Sequence, residues 1–268
     1  MLFLLRTIRR KMLGNNKVTT YLLYAIGEIV LVVVGILIAV SIDDWKQDRA
    51  NHIIEQNFYS TIQQELDRDQ AKYQEQITFY TNRIDVLTWL LTRIRNPEIE
   101  FDPIEFGQHV EPLYYNENAI SFDATFEAAK GSGAFNYFSN KELLKSTIQY
   151  YSEFAQLAEV ITSTLRLIES TFEPLMSSTP KNYLSDLSSE LVIAIGDNQS
   201  FYTLLGAIED TRPNNAQRAI KEFMQKTEFE SYVIGDLGRS YHAIARIHSR
   251  LERNDSLQLE ITKFLKNP

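Results

Sequence analysis

One uninterrupted apolar stretch near the N-terminus constrains this chain more than any other feature of its sequence. Residues 21–42 read YLLYAIGEIVLVVVGILIAVSI and contain a single charged residue, Glu28. At a rise of about 1.5 Å per residue, a helix of this length reaches about 33 Å, which spans the hydrocarbon of a bilayer. The sequence therefore predicts a transmembrane helix over residues 21–42.

The two flanks of this stretch carry opposite charges. Five basic residues and no acidic residue occur among the first twenty: Arg6, Arg9, Arg10, Lys11 and Lys17. On the other flank, Asp43 and Asp44 follow the stretch directly. Because basic flanks stay in the cytoplasm, we expect residues 1–20 to form a cytoplasmic, basic, amphipathic segment and residues 43–268 to form an exported helical domain.

A cleaved signal peptide is the alternative interpretation of the same stretch. Ala39, Val40 and Ser41 have the small-x-small pattern that signal peptidase accepts. The apolar region of a signal peptide is about 7 to 15 residues long, which is shorter than residues 21–42. We favour the anchor, and both interpretations place the bulk of the chain outside the cytoplasm.

Glu28 is the least expected residue of the predicted span, because a carboxyl group in hydrocarbon costs about 3 kcal/mol. Steps of three and four residues place it in line with small residues, which let two transmembrane helices approach closely. We name this line the pairing seam and predict that it contacts a partner helix; its residues are Ala25, Glu28, Val32, Gly35 and Ala39. The alternative is that Glu28 has no partner.

Two segments of the chain carry distinctive motifs. The first is YLLYAIGEIVLVVVGILIAVSIDDW behind the basic IRRKML, and the second is FEAAKGSGAFNYFSNKELLKSTIQYY, with Ser132, Gly133, Asn140, Leu144, Tyr150 and Tyr151. Both resemble a family of uncharacterised single-pass membrane proteins of Bacteroidota, a domain of unknown function. The resemblance implies an inner-membrane protein of a Gram-negative cell with a periplasmic domain. It implies no activity, because none is established for the family.

The exported part has the pattern of long helices. Apolar residues recur at steps of three and four from Tyr59 to Ile94, from Thr147 to Phe172 and from Val233 to Leu265. Ser139 and Glu142 have the spacing of a capping box that opens the second of these helices. We predict an all-α fold in which the transmembrane helix continues into an antiparallel bundle of about three long helices plus short ones.

Two stretches interrupt this pattern. Prolines and glycines punctuate residues 97–138, which we predict to be irregular with short helices, and residues 180–213 have the composition of connectors. Aromatic residues are dense in the first stretch, where we predict a partner surface, with capping of the bundle core as the alternative. The residues of this candidate surface are Tyr114, Tyr115, Phe122, Phe126, Phe135 and Tyr137.

The residue types that carry catalysis or bind metals do not form a motif in this sequence. The chain has no cysteine, and its four histidines are His52, His109, His242 and His248, none at a helical spacing that suits a metal site. It has no nucleophile elbow, P-loop or dinucleotide-binding glycine motif. We therefore predict no catalytic residue, no cofactor and no metal, and we expect that the protein is not an enzyme.

The charge of the exported part argues against one class of partner. Beyond the basic N-terminus and the span, 22 basic residues face 34 acidic ones, so this part would repel nucleic acid. The acidic residues of the first long helix alternate with Arg68 and Lys72, which predicts a solvent-exposed face. These acidic residues are Glu65, Asp67, Asp69 and Glu75.

The sequence as a whole predicts a membrane-anchored periplasmic helical protein with an interaction or scaffold role in the cell envelope. The expected partners are the lipid bilayer and either a second copy of the chain or a polytopic membrane protein. One alternative is a sensor that binds a ligand and signals through a partner, because about 20 cytoplasmic residues are too few for a signalling domain. The other is a stator-like subunit that uses Glu28.

Overall fold

The computed structural model of the chain describes residues 17–179, 203–204, 207–209 and 216–266. Every regular element in these residues is helical, which confirms the predicted all-α fold. Residues 1–16 of the predicted cytoplasmic segment and most of the predicted connectors lie outside the described residues.

The first helix, α1, runs from Lys17 to Arg95 without a break. Its 79 residues contain no proline, so no backbone N–H is missing from its hydrogen-bond ladder. Asn96 and Pro97 follow it, and proline disfavours the helical conformation of the residue before it. The helix confirms that the predicted span continues directly into the first long helix of the bundle.

Short helices follow α1, as predicted for residues 97–138. In chain order they are α2 (Pro103–Val110), a 3₁₀ turn (Glu111–Tyr114), α3 (Ala124–Ser132) and a second 3₁₀ turn (Ala134–Asn136). A capping box opens α2. The Asp102 side chain accepts a hydrogen bond from the backbone N–H of Ile104, and the Glu105 side chain accepts one from the backbone N–H of Asp102. Gly133 ends α3 with a φ of +76°, a left-handed conformation that glycine adopts without strain.

The helix predicted from Ser139 to Phe172 is divided in the structure. Its parts are α4 (Lys141–Ser152), α5 (Phe154–Leu167) and a π-helical turn (Ile168–Phe172), and α6 (Glu173–Met176) follows. At Glu153 the backbone ψ of −8° departs from the α-helical value of about −42°, a bend that apolar spacing does not reveal. Asn140 rather than Ser139 caps α4, accepting a 3.0 Å hydrogen bond from the N–H of Leu143.

Two further helices complete the described chain, α7 (Ala216–Met224) and α8 (Thr227–Lys266). α8 includes the whole stretch from Val233 to Leu265 that was predicted to be helical. The hydrogen bonds that join α1 to α8 include those from Gln63 to Thr262, from Gln70 to Asp255 and from Arg95 to Glu230. Because residue numbers rise along α1 as they fall along α8, the two helices are antiparallel.

The chain divides into two compact units. Among the described residues, the first unit comprises residues 17–57 and 137–139, and the second comprises residues 58–136 and those from 140 onward. Two apolar clusters fill the second unit. One contains Tyr73, Phe79, Tyr80, Leu157, Ile161, Ala243 and Ile247; the other contains Leu87, Leu90, Phe106, Phe172, Phe229 and Tyr232. With no cysteine in the chain, this packing has no disulfide to support it.

Candidate functional site

The predicted span is uncovered within the described chain. α1 contains a stretch that is long and apolar enough to cross a membrane, by length and composition, and none of its most apolar window is buried. Leu31 is 74% exposed and Leu37 is 60% exposed. A long, continuous apolar surface is uncommon on soluble proteins. The structure therefore contains a possible membrane span at the predicted position.

The pairing seam lies on this uncovered surface. Glu28, Val32, Gly35 and Ala39 are exposed, and Ala25 is half-buried. A Cβ atom built at Gly35 meets no other atom within 4 Å, so this side of the helix is open. The pairing itself stays a prediction.

The candidate aromatic surface is mostly covered. Tyr137 is 64% exposed, whereas Phe126 is 5% exposed. The remaining members are half-buried: Tyr114, Tyr115, Phe122 and Phe135. Phe126 stacks on Tyr151 with ring centroids 4.5 Å apart, and Tyr114 packs edge-to-face on Phe172 at 4.8 Å. These contacts favour core capping for the covered members, and the partner surface stays a prediction.

The bundle-facing side of α1 carries buried polar residues. Asp69, Gln76 and Arg83 are seven residues apart and have no exposed surface, and Glu65 is 8% exposed. The prediction that Glu65 and Asp69 lie on a solvent-exposed face was therefore wrong. Residues seven apart share one side of a helix, so these side chains form a polar line on the interior side of α1.

These four side chains bind the backbone of residues 112–125, which we call the strap. The pairs are Arg83 Nη1 with the Tyr115 carbonyl at 2.7 Å, Gln76 with the Asn118 carbonyl at 2.9 Å, Asp69 with the Phe122 N–H at 2.9 Å and Glu65 with the Thr125 N–H at 3.1 Å. Much of the strap has no regular structure, so its backbone groups need other partners. The polar line of α1 supplies them in order along the chain.

The wrong prediction has a physical cause in this arrangement. A buried polar side chain is stable where its groups are hydrogen-bonded. Glu65 Oε1 and Asp69 accept hydrogen bonds from backbone N–H groups that lie 60 and 53 residues further along the chain. A charge pattern read over a few neighbouring residues contains no information about such distant partners.

The N-terminus of α3 is capped from α1 rather than locally. Asp123 occupies the cap position but makes no side-chain cap hydrogen bond. Glu65 accepts hydrogen bonds from the N–H of Thr125 at 3.1 Å and from its hydroxyl at 2.7 Å. A carboxylate at this place satisfies an unpaired N–H and interacts favourably with the helix dipole.

Arg83 and Asp236 form a fully buried ion pair between α1 and α8. Arg83 Nε donates to Asp236 Oδ1 at 2.9 Å and Nη2 donates to Oδ2 at 2.7 Å, and neither side chain is exposed. Tyr232 donates a further hydrogen bond to Asp236 at 2.7 Å. Burial opposes the charge of Arg83, but the Asp236 carboxylate outweighs burial and raises the pKa of Arg83. The pair joins both helices to the strap.

A second polar cluster surrounds Tyr150. Its hydroxyl donates to Asp69 at 2.8 Å, and the Arg250 guanidinium lies 3.7 Å from its ring centroid. Asn254 donates to the Tyr150 hydroxyl at 3.1 Å. Burial raises the pKa of Asp69, although the hydrogen bonds from Phe122 and Tyr150 act against this shift. Arg250 is 4% exposed, and its Nη2 has no hydrogen-bond partner among the described residues.

The prediction for α8 holds in part. It placed Val233, Leu237, Ile244, Ile247, Leu251, Ile261 and Leu265 in one register. Val233, Ile247 and Ile261 are buried as predicted, whereas Leu237, Ile244 and Leu251 are half-buried. Polar residues fill the other interior positions: Asp236, Ser240, Arg250 and Asn254. Counting only apolar residues skips the positions that polar side chains occupy.

Metal-binding side chains are not grouped in the part of the chain that the structure describes: no three His, Cys, Asp or Glu residues there could hold an ion. His242 and His248 are exposed. His109 stacks on Trp89 with ring centroids 3.9 Å apart, and burial lowers its pKa.

A groove of about 180 Å³ opens between α4 and α8. Its lining includes Ser146, Gln149, Tyr150, Arg253 and Glu260. Both charges and uncharged hydrogen-bonding groups therefore face this space, and Arg253 also forms an ion pair with Glu153.

Comparisons of the chain with models of protein families, with curated proteins and with solved structures find no match. The resemblance to the Bacteroidota family stays an expectation from the sequence.

Proposed function

We propose that residues 21–42 anchor the protein in a membrane and that its helical domain is an interaction or scaffold subunit of the cell envelope. The observation that carries this proposal is that no residue of the most apolar window of α1 is buried. Burial of apolar surface contributes about 25 cal/mol per Å², so a stretch of this length is stable only under lipid or another protein.

The flanking charges support an orientation with the N-terminus in the cytoplasm. In this proposal the domain lies in the periplasm of a Gram-negative cell and the span lies in the inner membrane. Trp45 sits just beyond the span, with the Arg49 guanidinium 5.8 Å from its ring centroid. Tryptophan and arginine at such a position favour the boundary between lipid and water.

The interior of the bundle supports an interaction role over catalysis. The polar line of α1 is bonded to the strap, and Asp236 neutralises Arg83. These groups hold helices together, so the outer surface is the part of the domain that meets other molecules. In this proposal the protein acts through contacts of its outer surface with other proteins.

Affinity purification from detergent-solubilised membranes tests this proposal. The matched control is the same tagged chain with residues 21–42 replaced by an unrelated transmembrane helix, which keeps the protein in the membrane. We expect mass spectrometry to find a membrane protein, or a differently tagged second copy, enriched with the natural chain. An absence of enrichment with both the natural chain and the control would contradict a scaffold role.

A ligand sensor is the second candidate function, favoured by the groove between α4 and α8. Serine, glutamine and charged side chains line its 180 Å³, which suits a small polar molecule. Native mass spectrometry of the purified protein distinguishes the two functions. A bound metabolite that is lost in the Ser146→Leu variant supports sensing, whereas an unoccupied groove in both proteins counts against it.

A further inference from the structure

We propose that two copies of the chain pair in parallel along the pairing seam, with their Glu28 carboxyl groups hydrogen-bonded to each other. This inference rests on the proposed membrane anchor and names the partner of its span. The interface consists of Ala25, Glu28, Val32, Gly35 and Ala39 from each copy.

Glu28 is the observation that calls for a partner. It lies seven residues inside the span, which at about 1.5 Å per residue places it about 10 Å from the end of the span. Its side chain is exposed on α1, so in a bilayer it would face hydrocarbon. An unpaired carboxyl group there is strongly disfavoured, and a hydrogen-bonding group at the same depth removes most of that cost.

A second copy supplies such a group without any other requirement. A two-fold axis parallel to the helices brings each residue of the seam opposite its own copy and therefore at the same depth. A protonated carboxyl group both donates and accepts a hydrogen bond, so two Glu28 side chains complement each other. A partner of different sequence would have to present its own polar group at this depth.

The remaining residues of the seam allow close approach. A Cβ at Gly35 meets nothing within 4 Å, so the space beside this backbone is free for a partner helix. Ala25 and Ala39 add only methyl groups on the same line. Small residues at such spacing are typical of tightly packed transmembrane pairs.

Disulfide mapping in membranes tests the inference, because the natural chain contains no cysteine. Single cysteines replace Gly35 or Ala39 on the seam and Val30 or Leu37 on the opposite side of the helix. After mild oxidation we expect a band of twice the monomer mass for the two seam positions and little for the other two. Equal dimer at all four positions, no dimer at any, or a crosslink to a protein of another mass would overturn the inference.

A matched pair of glycine variants then separates pairing from the stability of the chain. Cβ atoms at Gly27 and at Gly35 both meet nothing within 4 Å, but only Gly35 lies on the seam. In the Ala39→Cys background, we expect Gly35→Leu to remove the dimer band and Gly27→Leu to leave it. The same loss in both variants would contradict the proposed interface.

Variants at Glu28 test the role of its carboxyl group in the same background. We expect Glu28→Leu to reduce dimer formation about 3- to 30-fold, as for other hydrogen bonds between membrane helices, and Glu28→Gln to reduce it less. Unchanged dimer in Glu28→Leu would remove the carboxyl group from the inference. Membrane sedimentation separates the two proposals: recovery in the soluble fraction would contradict the anchor, whereas membrane-bound monomer would contradict only the pairing.

Discussion

Two parts of the same helix, α1, relate polarity to burial in opposite ways. Among the described side chains from Tyr24 to Ile42, nearly all are apolar and all but Ala25 are exposed. Further along, Asp69, Gln76 and Arg83 are polar and fully buried. Where a side chain is stable therefore depends on the molecules around it and not on its polarity alone.

The largest expected effect comes from making the exposed apolar part polar. We expect the triple variant Leu31→Arg, Val34→Arg and Ile38→Arg to move the protein from the membrane pellet to the soluble fraction. Each arginine disfavours membrane insertion by about 2.5 to 3.5 kcal/mol. The control substitutes arginine at three exposed positions of the bundle part: Gln64, Gln74 and Thr81. We expect the control to stay in the pellet. If the triple variant also stayed there, the apolar part of α1 would not be what holds the protein in the membrane.

The next effect concerns the buried polar part. We expect Asp236→Leu to lower the free energy of unfolding by about 3 to 5 kcal/mol, because Arg83 is left charged and buried without a partner. Urea unfolding of the detergent-solubilised protein, followed by circular dichroism, measures this change.

The double variant Arg83→Met with Asp236→Leu is the control for this prediction. It removes both charges, so we expect it to be more stable than the sum of the single variants implies. Simple additivity would show that the two side chains do not act as a pair.

A smaller effect depends on pH and on Asp69. Burial raises its pKa in the folded chain above the ordinary value of 3.8. The contribution of such a group to stability is complete below the ordinary pKa and is lost as pH rises through the folded pKa. We therefore expect the natural chain to gain stability relative to Asp69→Asn as the pH falls from about 7 to about 4. A difference that does not change with pH would contradict the raised pKa of Asp69.

The smallest effect compares two acidic residues at one helix end. We expect Glu65→Ala to lower the melting temperature, since loss of a helix cap costs about 1 kcal/mol. The Asp123→Ala variant should lower the melting temperature by less than about half as much as Glu65→Ala, because Asp123 makes no cap hydrogen bond. The reverse order would show that α3 is capped locally and that Glu65 is not part of the interior polar line.

The sequence predicts those features that depend on neighbouring residues. The long helices over Tyr59 to Ile94 and Val233 to Leu265, and the short helices of residues 97–138, each follow from residues within a few positions of one another. The burial of Glu65 and Asp69 could not be predicted in this way, because the strap that bonds them lies more than 50 residues away. The burial of Asp236 in α8 was missed for the same reason, since this residue is stable inside only beside Arg83.

The accessibility of single cysteines along α1 tests whether lipid covers the apolar part of this helix. Leu31 and Ile38 in the apolar part and Gln64 and Gln74 in the bundle part are all exposed on the described chain. We predict that a thiol reagent that cannot cross membranes labels cysteines at 64 and 74 in osmotically opened cells but leaves those at 31 and 38 unlabelled until detergent is added. Equal labelling of all four without detergent would show that no lipid covers the apolar part of α1.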